Sequence, residues 1–138
     1  MTVKNEKIKY LFEPSSVAII GASQDENKIG YKIVRNITNG GFKGKIFPVN
    51  PRGGELLGNK IYTRIEDIES QIDIASIVVP ADRVLDAVKS CVKKNVKHAM
   101  IITSGFSETG NTELEMNIVK TAHDGGMRIL GPNIFGIY

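Results

Sequence analysis

The segment Gly21-Ala22-Ser23-Gln24-Asp25-Glu26-Asn27-Lys28-Ile29-Gly30 holds the clearest chemistry in this 138-residue chain. It follows a short β-branched run, carries glycine at each end and opens into residues with helical spacing. A helix N-terminus presents unpaired N–H groups and a partial positive charge, so the natural guest of such a loop is a phosphate. The loop is not G-x-G-x-x-G, because Ala22 and Ser23 follow Gly21 and the next glycine is Gly30; the ordinary NAD fingerprint is absent. Dinucleotide sites also use an acidic residue about 20 positions further on to hold the ribose hydroxyls. Here the second β-branched run ends Pro48-Val49-Asn50-Pro51-Arg52-Gly53-Gly54, with no carboxylate before Glu55. Arg52 in that place suits a phosphorylated ribose, because its planar fork grips phosphate through paired hydrogen bonds. NADP and the 3′-phosphoadenosine of coenzyme A both answer that description.

Further small or polar loops follow the later apolar runs. Val79-Pro80-Ala81-Asp82 reads chiefly as a strand end and helix start, since proline stops a ladder and presets a first helical turn. Thr103-Ser104-Gly105-Phe106-Ser107-Glu108-Thr109-Gly110 and Gly131-Pro132-Asn133 complete a set of four such loops, the pattern of a long ligand crossing one edge of a sheet. Cys91, between Val88 and Val92 in a helical pattern, reads as a buried thiol. His98 at a strand start and His123 near a helix end read as structural. No catalytic residue and no metal site are expected in this chain.

The elements that must carry these loops alternate. Apolar runs at Ser16 to Ile20, Lys45 to Val49, Ile74 to Val79, Lys97 to Thr103 and Met127 to Leu130 read as strands, near-continuous rather than alternating, as when both faces of a parallel sheet are covered. Between them Ile29, Ile33 and Ile37 mark one buried helix face, Leu85, Val88 and Val92 a second, and Leu114, Ile118 and Ala122 a third that closes at Gly125-Gly126. A helical turn is expected from Arg64 to Ser70, and Ile8, Leu11 and Phe12 predict a short helix ended by Pro14. The fold class is α/β: a doubly wound, mainly parallel five-stranded sheet in three α/β/α layers, with ligands outside the carboxyl ends of the strands near the point where strand order reverses.

Length and composition set the outer limits. With 41% hydrophobic and 24% charged residues, the chain can fold as a single globular domain over residues 1 to 138. No apolar run reaches the ~18 residues of a membrane span. The net charge of +3 comes from scattered lysines, not the clustered basic face of a nucleic-acid binder. The chain is expected to be cytoplasmic, without nucleic-acid or membrane partners.

Taken in order, Ala18-Ile19-Ile20-Gly21-Ala22-Ser23, Pro48-Val49-Asn50-Pro51, Asp73-Ile74-Ala75, Val79-Pro80-Ala81, Ser104-Gly105-Phe106-Ser107-Glu108 and Gly131-Pro132-Asn133 resemble the N-terminal CoA-binding domain of nucleoside-diphosphate-forming acyl-CoA synthetases. That group includes ADP-forming acetyl-CoA synthetase and the succinyl-CoA synthetase α subunit, and the resemblance covers essentially the whole chain. It implies a Rossmann-like fold with coenzyme A as ligand. It also implies that Gly21 and Ala22 bind the cofactor, that the Ser23 to Gly30 loop with Ser23, Lys28 and Gly30 holds its phosphates, that Val49, Asn50, Pro51 and Arg52 lie along the adenosine, that Pro80, Thr103, Ser104 and Gly105 line the groove, and that Asn133 approaches the thiol end. Ile134 departs from the many relatives with cysteine after Gly-Pro-Asn. The family's phosphohistidine lies in a following domain and its nucleotide in a grasp-type domain, so this chain is expected to be a domain of a larger ADP-forming ligase. The competing readings are a stand-alone or regulatory CoA-binding module, as in a protein acetyltransferase, and an NADP-binding redox-sensing domain.

Overall fold

The computed structural model describes residues 14–102 and 112–130. Strands β1 (Ser16–Ile20), β2 (Lys45–Val49), β5 (Ile74–Ile77), β6 (His98–Ile101) and β7 (Arg128–Leu130) form one parallel sheet in the order β2-β1-β5-β6-β7. Helix α1 (Ile29–Asn39) carries the chain from β1 outward to β2. Helices α2 (Ala81–Lys93) and α3 (Thr112–Asp124) then carry it the opposite way, from β5 to β6 and from β6 to β7. Strand order therefore reverses between β1 and β5. Wound in this manner, the sheet is Rossmann-like.

Both faces of the sheet are covered, which is why each strand carries only one polar residue, Ser16, Lys45, Ser76, His98 and Arg128 in turn. Val17 and Ile19 of β1 and Ile74 of β5 pack with Val34 of α1 on one face. Ala18, Ala75, Ile77, Ala99 and Ile101 pack with Val84, Val88 and Cys91 of α2 and with Ile118 and Ala122 of α3 on the other. Ala18, Ala75 and Ala99 stand in register across β1, β5 and β6. That row of small side chains leaves room for α2 and α3 to lie close to the sheet. Each fully buried isoleucine in these layers contributes about 2–3 kcal/mol.

The strands are shorter than expected at their ends: β5 stops at Ile77, β6 runs only from His98 to Ile101, and β7 starts at Arg128 rather than Met127. Ladder-like bonds run on past two of them, from Val78 N to Ile20 O at 2.8 Å and from Ile102 N to Ile77 O at 3.0 Å. The helical stripe of α1 is also displaced. Ile29 is 55% exposed, and the buried face is made by Gly30 and Val34 with Ile33 and Ile37 partly covered. The phase follows from the packing of Gly30 against the carbonyl of Gly21, described below. The Arg64–Ser70 turn is present as a shorter 3-10 turn, Ile65–Asp67, whose Ile65 is buried. The expected helix around Ile8, Leu11 and Phe12 lies outside the described residues.

An antiparallel hairpin between β2 and β5 was not anticipated: β3 (Gly54–Leu56) and β4 (Asn59–Ile61). Its turn places Leu57 at φ 50° and Gly58 at φ 84°, the mirror-image turn that favours Asn-Gly. Leucine pays for this backbone with strain and, at 43% exposure, recovers little by burial. Leu57→Asn is expected to stabilise the fold by about 0.5–1 kcal/mol, read as a rise of a few degrees in thermal denaturation. An unchanged or lower melting temperature would show that the leucine side chain matters more than its backbone.

Cys91 is fully buried in α2. Burial, and to a lesser degree the Glu66 carboxylate, pushes its thiol up to about 12, so it stays protonated and inert. No helix among the described residues is long and apolar enough to cross a membrane.

Candidate functional site

Where β1 and β5 part company, three loops converge. The β1 loop is pulled toward β2 by the amides of Gly21 and Ala22, which both donate to the Val49 carbonyl at 3.0 and 3.2 Å. Gly21 adopts φ 98°, and a Cβ there would run into the Val78 carbonyl oxygen of the neighbouring strand end. A Cβ on Gly30 would likewise meet the Gly21 carbonyl. Glycine at both ends of the loop thus lets the first turn of α1 fold back against the end of β1.

Inside the loop, Ser23 Oγ accepts from Asp25 N at 3.0 Å, and Asp25 Oδ1 accepts from Asn27 N at 2.9 Å. Gln24 Nε2 donates to the Glu55 carbonyl of the hairpin at 2.8 Å. Lys28 stands at the N-cap of α1 without a side-chain hydrogen bond to the helix, and the first turn contains no acidic residue. The first amides of α1 therefore face the loop without a side-chain cap.

Asn50 joins this loop to the end of β2. Its Nδ2 donates to the Ala22 carbonyl at 2.7 Å, while its Oδ1 accepts from Arg52 N at 2.9 Å. One side chain thus fixes both the phosphate-type loop and the turn that presents Arg52. On the far side of the switch point, Pro80 caps α2 and accepts from Arg83 N at 2.8 Å.

Two adjoining cavities open between these loops. The larger, about 640 Å³, is floored by Ile20, Val49, Ile65, Val78 and Val79 and walled by Gly21, Ser23, Lys28, Asn50, Pro51, Pro80, Arg64, Glu66 and Arg83. The smaller, about 450 Å³, is more polar and takes in Ala22, Ser23, Gln24, Asp25, Lys28, Asn50, Pro51, Arg52 and Arg83. Each falls within the roughly 300–1,000 Å³ of small-molecule sites.

Of the residues singled out in the sequence, Gly21, Ala22, Ser23, Lys28, Val49, Asn50, Pro51, Arg52 and Pro80 come together on these walls. Gly30 does not line either cavity; it is buried beneath the loop it supports. Thr103, Ser104, Gly105 and Asn133 lie outside the described residues. His98 opens β6, paired with Ile74 and Arg128 at the amino-terminal ends of the strands, and lines neither of these two cavities.

The sequence reading missed Arg83, Arg64 and Glu66. Arg83 was within reach of sequence reasoning, since it stands three residues beyond Pro80, on the first turn of a helix that starts at the ligand edge. Arg64 and Glu66 stand at the start of the expected turn, Arg64 at its N-cap and Glu66 within the Ile65–Asp67 3-10 turn, but nothing in the sequence marked that turn as facing the ligand edge. They pair with each other at 3.1 Å. Burial pushes the Glu66 carboxyl up, but its own backbone N–H, the Arg64 guanidinium and Lys93 outweigh it and hold the group below its ordinary value. Among the described residues Lys28, Arg52 and Arg83 form no salt bridge, so the rim of both cavities is positively charged.

Fold and rim together define a doubly wound domain shaped for a nucleotide-sized anionic ligand. The sequence profile of the CoA binding domain matches residues 15–138. The chain belongs to that family. It is 48% identical over 134 residues to the ADP-forming acetate–CoA ligase of Methanocaldococcus jannaschii, covering 97% of this chain and 19% of that protein. It is 47% identical over 136 residues to the α subunit of ADP-forming acetate–CoA ligase I of Pyrococcus furiosus, covering 94% of this chain and 29% of that one. The dinucleotide-forming acetyl-coenzyme A synthetase 1 of Ca. Korarchaeum cryptofilum, solved in its apo form and with phosphate and ADP, superimposes with a TM-score of 0.91 at 51% identity, over 94% of this chain and 28% of that one. The chain thus spans between a fifth and a third of the length of these relatives.

Proposed function

We propose that residues 1–138 are the CoA-binding domain of a longer ADP-forming acyl-CoA synthetase, interconverting acyl-CoA, ADP and phosphate with free acid, CoA and ATP. The observation that carries the reading is the groove at the switch point, whose floor is apolar and whose rim holds three cations with no carboxylate partner among the described residues. The match to ADP-forming acetate–CoA ligases over nearly the whole chain supports it. The adenosine lies along Val49, Asn50, Pro51 and Arg52, with its 3′-phosphate at Arg52 in the smaller cavity, and the diphosphate sits by Ser23 and Lys28 where the two cavities meet. Pro80 lines the larger cavity on the path of the pantetheine arm, the part of the ligand to which the family resemblance also assigns Thr103, Ser104, Gly105 and Asn133.

In the whole enzyme a phosphohistidine domain and a nucleotide-grasp domain carry out phosphoryl transfer. The part played by this domain is to hold the CoA thiol where it meets the activated acyl group, which is catalysis by positioning. The acyl group is chosen outside it.

Arg52 is assigned to the 3′-phosphate. Calorimetric titration is expected to show CoA binding about 10-fold tighter than dephospho-CoA, and Arg52→Ala is expected to bring CoA down to the dephospho-CoA level while leaving dephospho-CoA unchanged, the loss of one charged hydrogen-bonded contact. Equal affinity for the two ligands would refute the assignment. Tight binding of NADPH with silence toward CoA would replace the proposal with a redox reading.

A further inference from the structure

The two cavities share five wall residues, Ser23, Lys28, Asn50, Pro51 and Arg83, and the two cations among them arrive from opposite faces of the sheet. Lys28 sits at the start of α1, which packs on one face with Val34; Arg83 sits on the first turn of α2, which packs on the other with Val84 and Val88. Both helices begin at the switch point, so their first turns close on the junction between the cavities from its two sides. Of the acidic groups nearby, Glu66 is held by Arg64, Asp25 lines only the smaller cavity and is not among the shared wall residues, and Asp82 does not line either cavity. The junction therefore keeps an unbalanced positive charge at the point where any ligand spanning both cavities must pass.

We propose that Arg83 is a specificity-determining residue that clamps a diphosphate at this junction, opposite Lys28. Its guanidinium supplies the bidentate half of the grip, and Lys28 with the uncapped amides of α1 supplies the other. The inference rests on the CoA reading and extends it. Arg52 lines only the smaller cavity and reads a terminal phosphate, whereas Arg83 reads the diphosphate that links the two halves of the ligand. Dinucleotide-like ligands with a diphosphate bridge are thereby favoured over adenosine monophosphates of equal charge.

Calorimetry of the wild type, Arg83→Ala, Arg83→Lys and Arg52→Ala with CoA, dephospho-CoA and inorganic pyrophosphate separates the roles. Arg83→Ala is expected to weaken CoA and dephospho-CoA by the same factor, about 10-fold or more. Arg83→Lys should fall between Arg83→Ala and the wild type, because it keeps the charge and loses the fork. The melting temperature should stay unchanged, since the side chain is exposed. An Arg83→Ala protein that binds dephospho-CoA within about 2-fold of wild type overturns the clamp. If the wild type ignores CoA yet binds pyrophosphate in an Arg83-dependent manner, the clamp stands and the CoA reading falls; silence toward both ligands overturns the clamp as well.

Discussion

Gly21→Ala is expected to lower the melting temperature by about 10 °C or more and to abolish CoA binding. Two costs combine at this position. The backbone stands at φ 98°, where an L side chain is strained by about 1–3 kcal/mol. The added Cβ also lands on the Val78 carbonyl oxygen, with the carbonyl carbon at 2.8 Å and Val79 Cγ1 at 3.2 Å. Val78 cannot easily withdraw, because its own amide is bonded to Ile20 O at 2.8 Å. Overpacking of this kind costs a further 1–3 kcal/mol or so. The sum, about 2–6 kcal/mol with a midpoint near 4, corresponds at that midpoint to roughly 10–15 °C for a domain of this size. Gly41→Ala is the matched control: it has φ 80° but nothing within 4 Å of the new Cβ, so only the strain is felt. If thermal denaturation gave the two variants equal losses, the close approach of the β1 and β5 ends would be wrong.

Lys28→Glu separates binding from stability by moving them in opposite directions. Lys28 lines both cavities, is exposed and forms no salt bridge among the described residues. Reversing its charge removes an attraction to the phosphates and adds a repulsion, so CoA affinity should fall more than about 100-fold. The same carboxylate now stands at the N-cap of α1, whose first turn has no acidic residue to complement the helix dipole. It is therefore expected to raise stability by about 0.3–1 kcal/mol. Calorimetry and thermal denaturation on one sample read both signs. A protein that keeps its CoA affinity would move the phosphates away from α1, and one that loses stability along with affinity would reveal a structural role for the lysine.

The legible parts of the fold were those where one physical cause dominates. Ser16–Ile20 and Lys45–Val49 read correctly to the residue because strands covered on both faces are apolar at nearly every position. The α1 stripe was misphased by Ile29, because periodicity weighs large apolar residues and gives no weight to Gly30, whose place is decided by its contact with the Gly21 carbonyl. The hairpin escaped notice because each strand is only three residues long and its turn is Leu57-Gly58 in place of a recognisable Asn-Gly. Arg64 and Glu66 were missed for another reason: they lie in the expected turn beyond the hairpin, and only the tertiary fold brings that turn to the cavity wall. That Gly21 to Lys28 and Val49 to Arg52 contribute walls to the cavities was readable because each follows an apolar run at the edge where such sheets open. That Asn50 ties the two loops together was not readable, since it depends on side-chain geometry 28 residues apart in sequence.

The central claim is that CoA occupies the groove at the reversal of strand order. Amide chemical-shift mapping by NMR, with CoA titrated into the isotope-labelled chain, tests it most directly. The account predicts shifts that saturate with one affinity and cluster at Gly21 to Lys28, Val49 to Gly53 and Val78 to Arg83. Shifts centred instead on α3 and β7, or none at saturating CoA, would contradict it.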